Sequence, residues 1–308
     1  MFGATGAQGG GLARAILADR EQRFQLRAIT RKPQSAAARA LAERGAEIVA
    51  ADLDDRTAVL RALDGAYGTF CVTNFWEHFS PEKELAQAHT MAQAALEAGV
   101  RHVIWSTLED TREYVRPGSG RMPVLMGKYN VPHFDAKGEA NRAFIGRSVP
   151  TTLLYTSFYW DNLIHFGMQP LRGIDGTLGF VLPMDGAKLP GIAAEDIGPS
   201  AFSIFVGGDE LIGKSIGVAG EHLSGAQMAE QLTLALGEPV KHVEMTPAQY
   251  AALGFPGADD MANMFQFNRE FEHMFRDARS PSCTRELHPG TQTFAQWLAH
   301  NAARIPIQ

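Results

Sequence analysis

The feature that most constrains this chain is a glycine-rich turn near its start, Gly3-Ala4-Thr5-Gly6-Ala7-Gln8-Gly9-Gly10, which feeds the helical run Leu12-Ala13-Arg14-Ala15-Ile16-Leu17. Glycines spaced Gly-x-x-Gly-x-x-Gly permit a tight turn, let a ligand's phosphates approach the backbone, and allow the helix to pack closely on a sheet. The helix N-terminus then presents free N–H groups and the positive end of its dipole. A glycine turn alone is a weak signal. The alternation of elements after it gives it weight.

Strand-like and helix-like segments alternate from the turn onward, the pattern of a parallel sheet covered on both faces. Strands are expected at Leu26–Thr30, Glu47–Ala50, Tyr67–Thr73, Val100–Ser106 and Thr151–Thr156. Helices are expected at Gln34–Arg44, Asp55–Asp64, from Pro81 to the C-cap Gly99, and over Phe134–Arg147. The stretch Glu109–Pro132 is rich in Gly and Pro and suits a lid. Beyond it, Gly and Pro punctuate residues 167–191 and helices then dominate, with Ser224 and Thr246-Pro247 as start signals. The expected fold is α/β: a Rossmann-type doubly wound parallel sheet over residues 1–156, with a smaller, mostly helical lobe over 157–308. That lobe should cover the cofactor and return one or two strands to the main sheet. Only Met1 and Phe2 precede Gly3, whereas a first strand needs about 5 residues, so the first strand is expected to be clipped.

The residues after the second strand choose the ligand. An NAD-binding domain places an acid there for the ribose 2′-hydroxyl; this chain reads Thr30-Arg31-Lys32. A guanidinium at that place can grip a 2′-phosphate bidentately. Such a bond is worth roughly 1.5–3 kcal/mol, or about one to two decades of preference for NADP(H). Asp52 and Leu53, after the third strand, sit where such folds flank adenine, while Asp54 and Asp55 suit a helix cap. Thr73, Asn74 and Phe75 follow the fourth strand, at the carboxyl edge where ligands enter open sheets. Aromatic residues gather there (Phe75, Trp76, Phe79) and again at Phe158, Tyr159 and Trp160, enough to wall an apolar pocket.

Short-chain dehydrogenases pair a Tyr proton donor with a Lys four residues later. Here the matching helix reads His133-Phe134-Asp135-Ala136-Lys137. Lys137 is present and His133 occupies the Tyr position. A positioned general acid typically supplies 10²- to 10⁴-fold, so the expectation is bound cofactor with weak or no turnover. Lys137 and His133 are the catalytic candidates if turnover occurs.

The other classes fall away on composition. The ten histidines lack zinc-site spacing, and no Gly-x-Ser-x-Gly elbow is present. A formal net charge of -6 without blocks of like charge argues against direct nucleic-acid binding. No apolar run approaches the ~20 residues of a membrane span. Two cysteines, Cys71 and Cys283, suit a reducing compartment, and with no signal-peptide pattern the chain is expected to be cytoplasmic.

The motifs Gly3–Gly10, Thr30-Arg31-Lys32-Pro33, Val72-Thr73-Asn74-Phe75-Trp76-Glu77 and His133–Gly138 resemble the NmrA-like family of atypical short-chain dehydrogenases. Leu253-Gly254-Phe255-Pro256-Gly257-Ala258 and Met261-Ala262-Asn263-Met264-Phe265 resemble its HSCARG branch, and the likeness spans essentially the whole chain. The resemblance implies an NADP(H)-binding redox sensor, without the catalytic Tyr, whose nicotinamide state controls association with regulatory proteins. It also implies cofactor contacts from Gly3, Ala4, Thr5, Gly6, Ala7, Gln8, Gly9, Arg31, Asp52, Leu53, Thr73, Asn74, Phe75, Lys137, Tyr159, Trp160, Asp161 and Asn162. The branch usually has Phe-Glu-Asn where this chain has Trp160-Asp161-Asn162. Relatives in the superfamily reduce quinones, dyes or flavonoid precursors without the Tyr, so an NADPH-dependent reductase of a quinone or similar small-molecule acceptor is the alternative. Either reading is compatible with a monomer or homodimer.

Overall fold

Backbone groups inside a sheet must all find partners, and that rule shows how the first residues are used. The structure, a computed structural model, describes residues 1–307. Its chain divides into two compact units. The first comprises Met1–Asp110, His133–Thr156 and Ala194–Ile216; the second comprises Thr111–Pro132, Ser157–Ala193 and the chain from Gly217 onward. The units thus interleave along the sequence.

In the first unit, helices and strands alternate as α1 (Ala7–Ala18), β1 (Arg27–Thr30), α2 (Ala36–Glu43), β2 (Glu47–Ala50), α3 (Arg56–Leu63), β3 (Gly68–Cys71), α4 (Pro81–Glu97), β4 (His102–Thr107), α5 (Pro132–Ile145) and β5 (Thr151–Tyr155). Ser35, Asp55 and Ser80 each accept a backbone N–H bond from the first turn of α2, α3 and α4. These caps convert strand exits into helix starts. β1 pairs with β2, and β3, β4 and β5 pair in series, all parallel. Met1 and Phe2 close the gap between the two groups: the Ile29 N–H donates to the Met1 carbonyl and the Phe2 N–H to the Phe70 carbonyl, each at 3.0 Å. The order β2, β1, residues 1–2, β3, β4, β5 is that of a doubly wound Rossmann sheet, with its switch point beside residues 1–2.

The sheet's buried faces hold the core, in which Phe2, Val59, Met91, Val103 and Phe144 take part. Trp105 of β4 stacks on Phe144 with ring centroids 4.9 Å apart. β4 is buried along its whole length, as a strand covered on both faces must be. Cys71 is fully buried, and burial pushes its thiol up to about 12, so it acts as a packing residue. α1 meets the helix Ala194–Gly207 backbone to backbone: a Cβ on Gly11 would lie 2.4 Å from the Glu195 carbonyl oxygen, and one on Gly198 would lie 2.0 Å from the Leu12 nitrogen.

The second unit contains two small sheets. In one, Leu189–Ile192 pairs parallel to Phe158–Tyr159 and antiparallel to Glu221–Leu223; in the other, Leu178–Val181 pairs parallel to Val240–Val243. Its helices Gly225–Leu236, Pro247–Ala251 and Phe294–Asn301 all start with capping boxes, at Ser224, Thr246 and Thr293. The loop-rich stretch 111–132 is pinned within this unit. Asn263 Nδ2 donates to the carbonyls of Pro123 (2.9 Å) and Asn130 (2.6 Å), and Gln266 Nε2 donates to that of Arg121 (2.8 Å). Among the described residues no helix is long and apolar enough to cross a membrane.

Because Gly198 touches backbone rather than a side chain that can swing away, Gly198→Ala should lower unfolding stability by at least about 1–3 kcal/mol. Urea denaturation of the two proteins measures this, and an unchanged midpoint would contradict the close helix contact.

Candidate functional site at the carboxyl edge of the sheet

The turn after residues 1–2 is shaped by what cannot fit there. Gly3 has φ +65, and a Cβ on it would lie 2.8 Å from Val72 Cγ1. A Cβ on Gly9 would lie 2.2 Å from the Gly3 carbonyl oxygen, while the Gly6 N–H closes the turn on that same oxygen at 2.9 Å. Ala4 is buried beneath the turn; Thr5 and Ala7 are exposed and Gln8 is half-buried. Gly6 caps α1 without a side-chain hydrogen bond, and the first turn of α1 holds no acid. The result is a glycine cradle beside a helix's positive end, which fits a dinucleotide pyrophosphate.

The cations after β1 lie at the same edge. Arg31 forms a two-pronged pair with Glu77, Nη1 to Oε1 at 2.6 Å and Nη2 to Oε2 at 2.9 Å, with both side chains about half exposed. The hydrogen bonds from Arg31 hold the Glu77 carboxyl below its usual range, and the carboxylate in turn raises the guanidinium. The Lys32 side chain is exposed, and its backbone N–H donates to Thr30 Oγ1. Asp52 accepts from the Asp54 N–H, and Leu53 packs its half-buried side chain against the core. Asp55 caps α3 as its position suggests, but Asp54 does not share that role. It binds Lys83 Nζ and Gln87 Nε2, both at 3.0 Å.

Lys137, on α5, points to the end of β3. Its ammonium donates to Glu84 Oε1 (2.7 Å), Thr73 Oγ1 (2.8 Å) and the Thr73 carbonyl (3.2 Å), and it lies 5.3 Å from the centre of the Trp105 ring. Thr73 Oγ1 donates its own O–H to Glu84 Oε1 at 2.5 Å. Glu84 is fully buried. Burial works to raise its pKa, but the Lys137 charge, the facing His78 ring and the bonds from Lys137 and Thr73 outweigh this and bring it down to about 2. His78 Nδ1 accepts the Ser80 N–H, which leaves the ring proton on Nε2, 3.5 Å from Glu84 Oε2. At that distance the N–H faces the carboxylate but is too far away for a good hydrogen bond.

His133, one turn before Lys137, is buried in a ring cluster: Trp76 at 4.7 Å, Phe134 at 4.8 Å and Phe75 at 6.1 Å between centroids. Asn74 precedes Phe75 as an exposed residue, and Phe79 packs on both Phe75 and Trp76. Several of the expected residues therefore meet along the segment 72–77, while Lys32, Asp52 and Leu53 lie outside these contacts. Gly3 meets Val72, Thr73 meets Lys137, Trp76 meets His133, and Glu77 meets Arg31.

Tyr159, Trp160, Asp161 and Asn162 belong to the second unit. Trp160 donates its backbone N–H to the Ile192 carbonyl, and its side chain is buried against Phe294 and Trp297 in that unit's own core. Tyr159, Asp161 and Asn162 are half-buried, with Asn162 opening the helix Asn162–His165.

Sequence reasoning missed Glu84, His78 and the partner role of Glu77. Glu84 did leave a signal. On α4 the buried positions Pro81, Glu84, Ala88, Met91 and Ala95 form one helical stripe, so a carboxylate lies in phase with apolar residues and requires a buried cation.

Comparison with known proteins agrees with this architecture. The sequence profile of the NmrA-like family matches residues 1–298. The NmrA-like family domain-containing oxidoreductase malD of Malbranchea aurantiaca is 28% identical over 258 residues, covering 80% of this chain and 74% of its own. NmrA, a negative transcriptional regulator with structures in complex with NAD and with NADP, superposes with a TM-score of 0.78 at 22% identity, over 97% of this chain and 93% of its own. The NADPH-dependent quinone oxidoreductase QOR2 of Escherichia coli superposes with a TM-score of 0.71 at 21% identity, over 97% of this chain and 98% of its own. At these identities the structural likeness carries the fold.

Removing one partner of a buried ion pair strands the other, so Glu84→Gln should cost about 3–5 kcal/mol of stability near neutral pH. The unfolded carboxyl titrates near ~4.3 and the folded one at about 2. Between these values the unfolded chain binds the proton and the native chain does not, so the contribution is complete above the upper value and fades as pH falls toward the lower. Urea unfolding of both proteins across that window measures it; a difference that stays constant with pH would contradict the ionised pair.

Proposed function

The chain belongs to the NmrA-like family, and from that premise we propose that it binds a nicotinamide dinucleotide, NADP(H) ahead of NAD(H), and works as a redox sensor with little intrinsic turnover. The observation that carries the binding reading is the glycine cradle, where Cβ atoms on Gly3 and Gly9 would collide and the first turn of α1 bears no acid. Gly3 to Gly9 would hold the pyrophosphate, and Arg31 with Lys32 the 2′-phosphate. Asp52 and Leu53 would border the adenine; Thr73, Asn74, Phe75 and Lys137 would serve the nicotinamide half. Tyr159, Trp160, Asp161 and Asn162 enter through family resemblance alone. The NmrA neighbour's structures with NAD and NADP support the ligand class.

When bound, the nicotinamide supplies or accepts a hydride. A reductase must also deliver a proton, and here the residues serve poorly. The ammonium of Lys137 has three protons, and all three are directed to Glu84 and Thr73. His133 sits among aromatic rings in place of the usual Tyr. On this reading the site holds a cofactor while the two catalytic candidates, Lys137 and His133, are engaged elsewhere. Its output would then be the redox state of the bound cofactor, read by a regulatory protein partner. The NmrA neighbour is itself a negative transcriptional regulator.

A second reading is an NADPH-dependent oxidoreductase acting on a quinone or similar planar acceptor. The Phe75-Trp76-Phe79 ring group favours it, as do curated relatives named oxidoreductases.

Arg31→Ala should weaken NADPH binding by about ten- to a hundredfold and change NADH binding little. Unchanged NADPH affinity by calorimetry would overturn the assignment. With NADPH and a panel of quinones, aldehydes and dyes, the wild-type protein should lose reduced-nicotinamide absorbance near the background rate. Rapid turnover abolished by Lys137→Ala would establish the second reading instead.

A further inference from the structure

We propose that Glu77 is a specificity-determining residue, an internal anion that occupies Arg31 and that a 2′-phosphate must displace. NAD(H) would bind with the pair intact, whereas NADP(H) would have to split it. The inference rests on the proposed dinucleotide binding, with the cofactor's adenosine ribose lying toward Arg31.

The geometry is that of a competitor. A guanidinium fork binds a carboxylate and a phosphate in the same planar, two-pronged way, and Glu77 uses both of its oxygens on both terminal nitrogens, at 2.6 and 2.9 Å. The two residues are 46 positions apart in the chain. Glu77 reaches Arg31 from the short 3₁₀ turn Phe75–Glu77, and Arg31 stands just past the end of β1. Asp52 and Asp54 also lie within electrostatic reach of Arg31. Among nearby cations, Lys83 is held by Asp54. An arriving 2′-phosphate therefore meets a guanidinium that is already bonded, with the carboxylates of Asp52 and Asp54 within electrostatic reach and only the exposed Lys32 beside it as an added cation. A 2′-hydroxyl is neutral and meets no such opposition, and the Glu77 carboxylate beside it can accept a hydrogen bond. The pair thus narrows the preference that an unpaired arginine would impose.

The pair is half exposed, and pairs of that kind are weak. Glu77→Gln should tighten NADPH binding by about two- to fivefold while NADH binding stays the same or weakens, so discrimination widens. Glu77→Ala should shift selectivity in the same direction. The fragments 2′,5′-ADP and 5′-ADP should repeat the shift, which would locate it at the ribose phosphate. Isothermal titration of wild-type protein, both Glu77 variants and Arg31→Ala separates the outcomes. If Arg31→Ala weakens NADPH binding but the Glu77 variants leave NADPH unchanged, or move NADPH and NADH equally, the inference about Glu77 is overturned and the binding reading stands. If Arg31→Ala has no effect on NADPH, the binding reading fails, and this inference fails with it.

Discussion

A carboxylate without water must have a cation, and in this protein that requirement ties three elements together. Glu84 on α4, Lys137 on α5 and Thr73 at the end of β3 share one set of short hydrogen bonds. A buried pair is weak evidence of net stability, because desolvation offsets much of the attraction. Its stronger effect is on geometry. With all three ammonium protons directed, Lys137 has one position, and the end of β3 is fixed relative to both helices. The face of Trp105 beneath the ammonium adds a further constraint on where that charge can sit.

At the other end of the edge, backbone replaces side chains. The glycine turn needs no charged residue to favour a pyrophosphate, since the start of α1 supplies oriented N–H groups and partial positive charge. On the proposed binding, discrimination at the ribose would fall to Arg31, which has Glu77, Asp52 and Asp54 within electrostatic reach. An exposed guanidinium with no carboxylate nearby would attract any phosphate. Paired with Glu77 and near two further carboxylates, it would give up some of that affinity.

Much of the first unit could be read directly from the chain. Alternating strands and helices, the cap at Asp55 and the glycine turn are local features, so local patterns report them. The pairings that give the site its character are not local. Arg31 was legible as a cation after β1, but its commitment to Glu77 depends on the fold bringing two loop ends together. Glu84 looked like one more charge on an amphipathic helix until its phase with Met91 and Ala95 was considered. Trp160 stands where the family motif usually has Phe, at the end of a strand, and its ring is interior to the second unit, where Gly191 leaves space for it. Pattern identified the residue but not the direction of its side chain.

The segment 74–79 links these features. Glu77 bonds to Arg31, Trp76 packs on His133, and His78 faces Glu84, which holds Lys137. Phe79 ends the turn at φ +51, a left-handed conformation that a bulky residue adopts at a cost of about 1–3 kcal/mol. Its N–H bond to the Phe75 carbonyl at 2.7 Å and its packing on Trp76 sustain that conformation. One short turn therefore contacts both the Arg31 guanidinium and the Lys137–Glu84 charge network. A group that displaces Glu77 acts on the same backbone that positions His78 against Glu84.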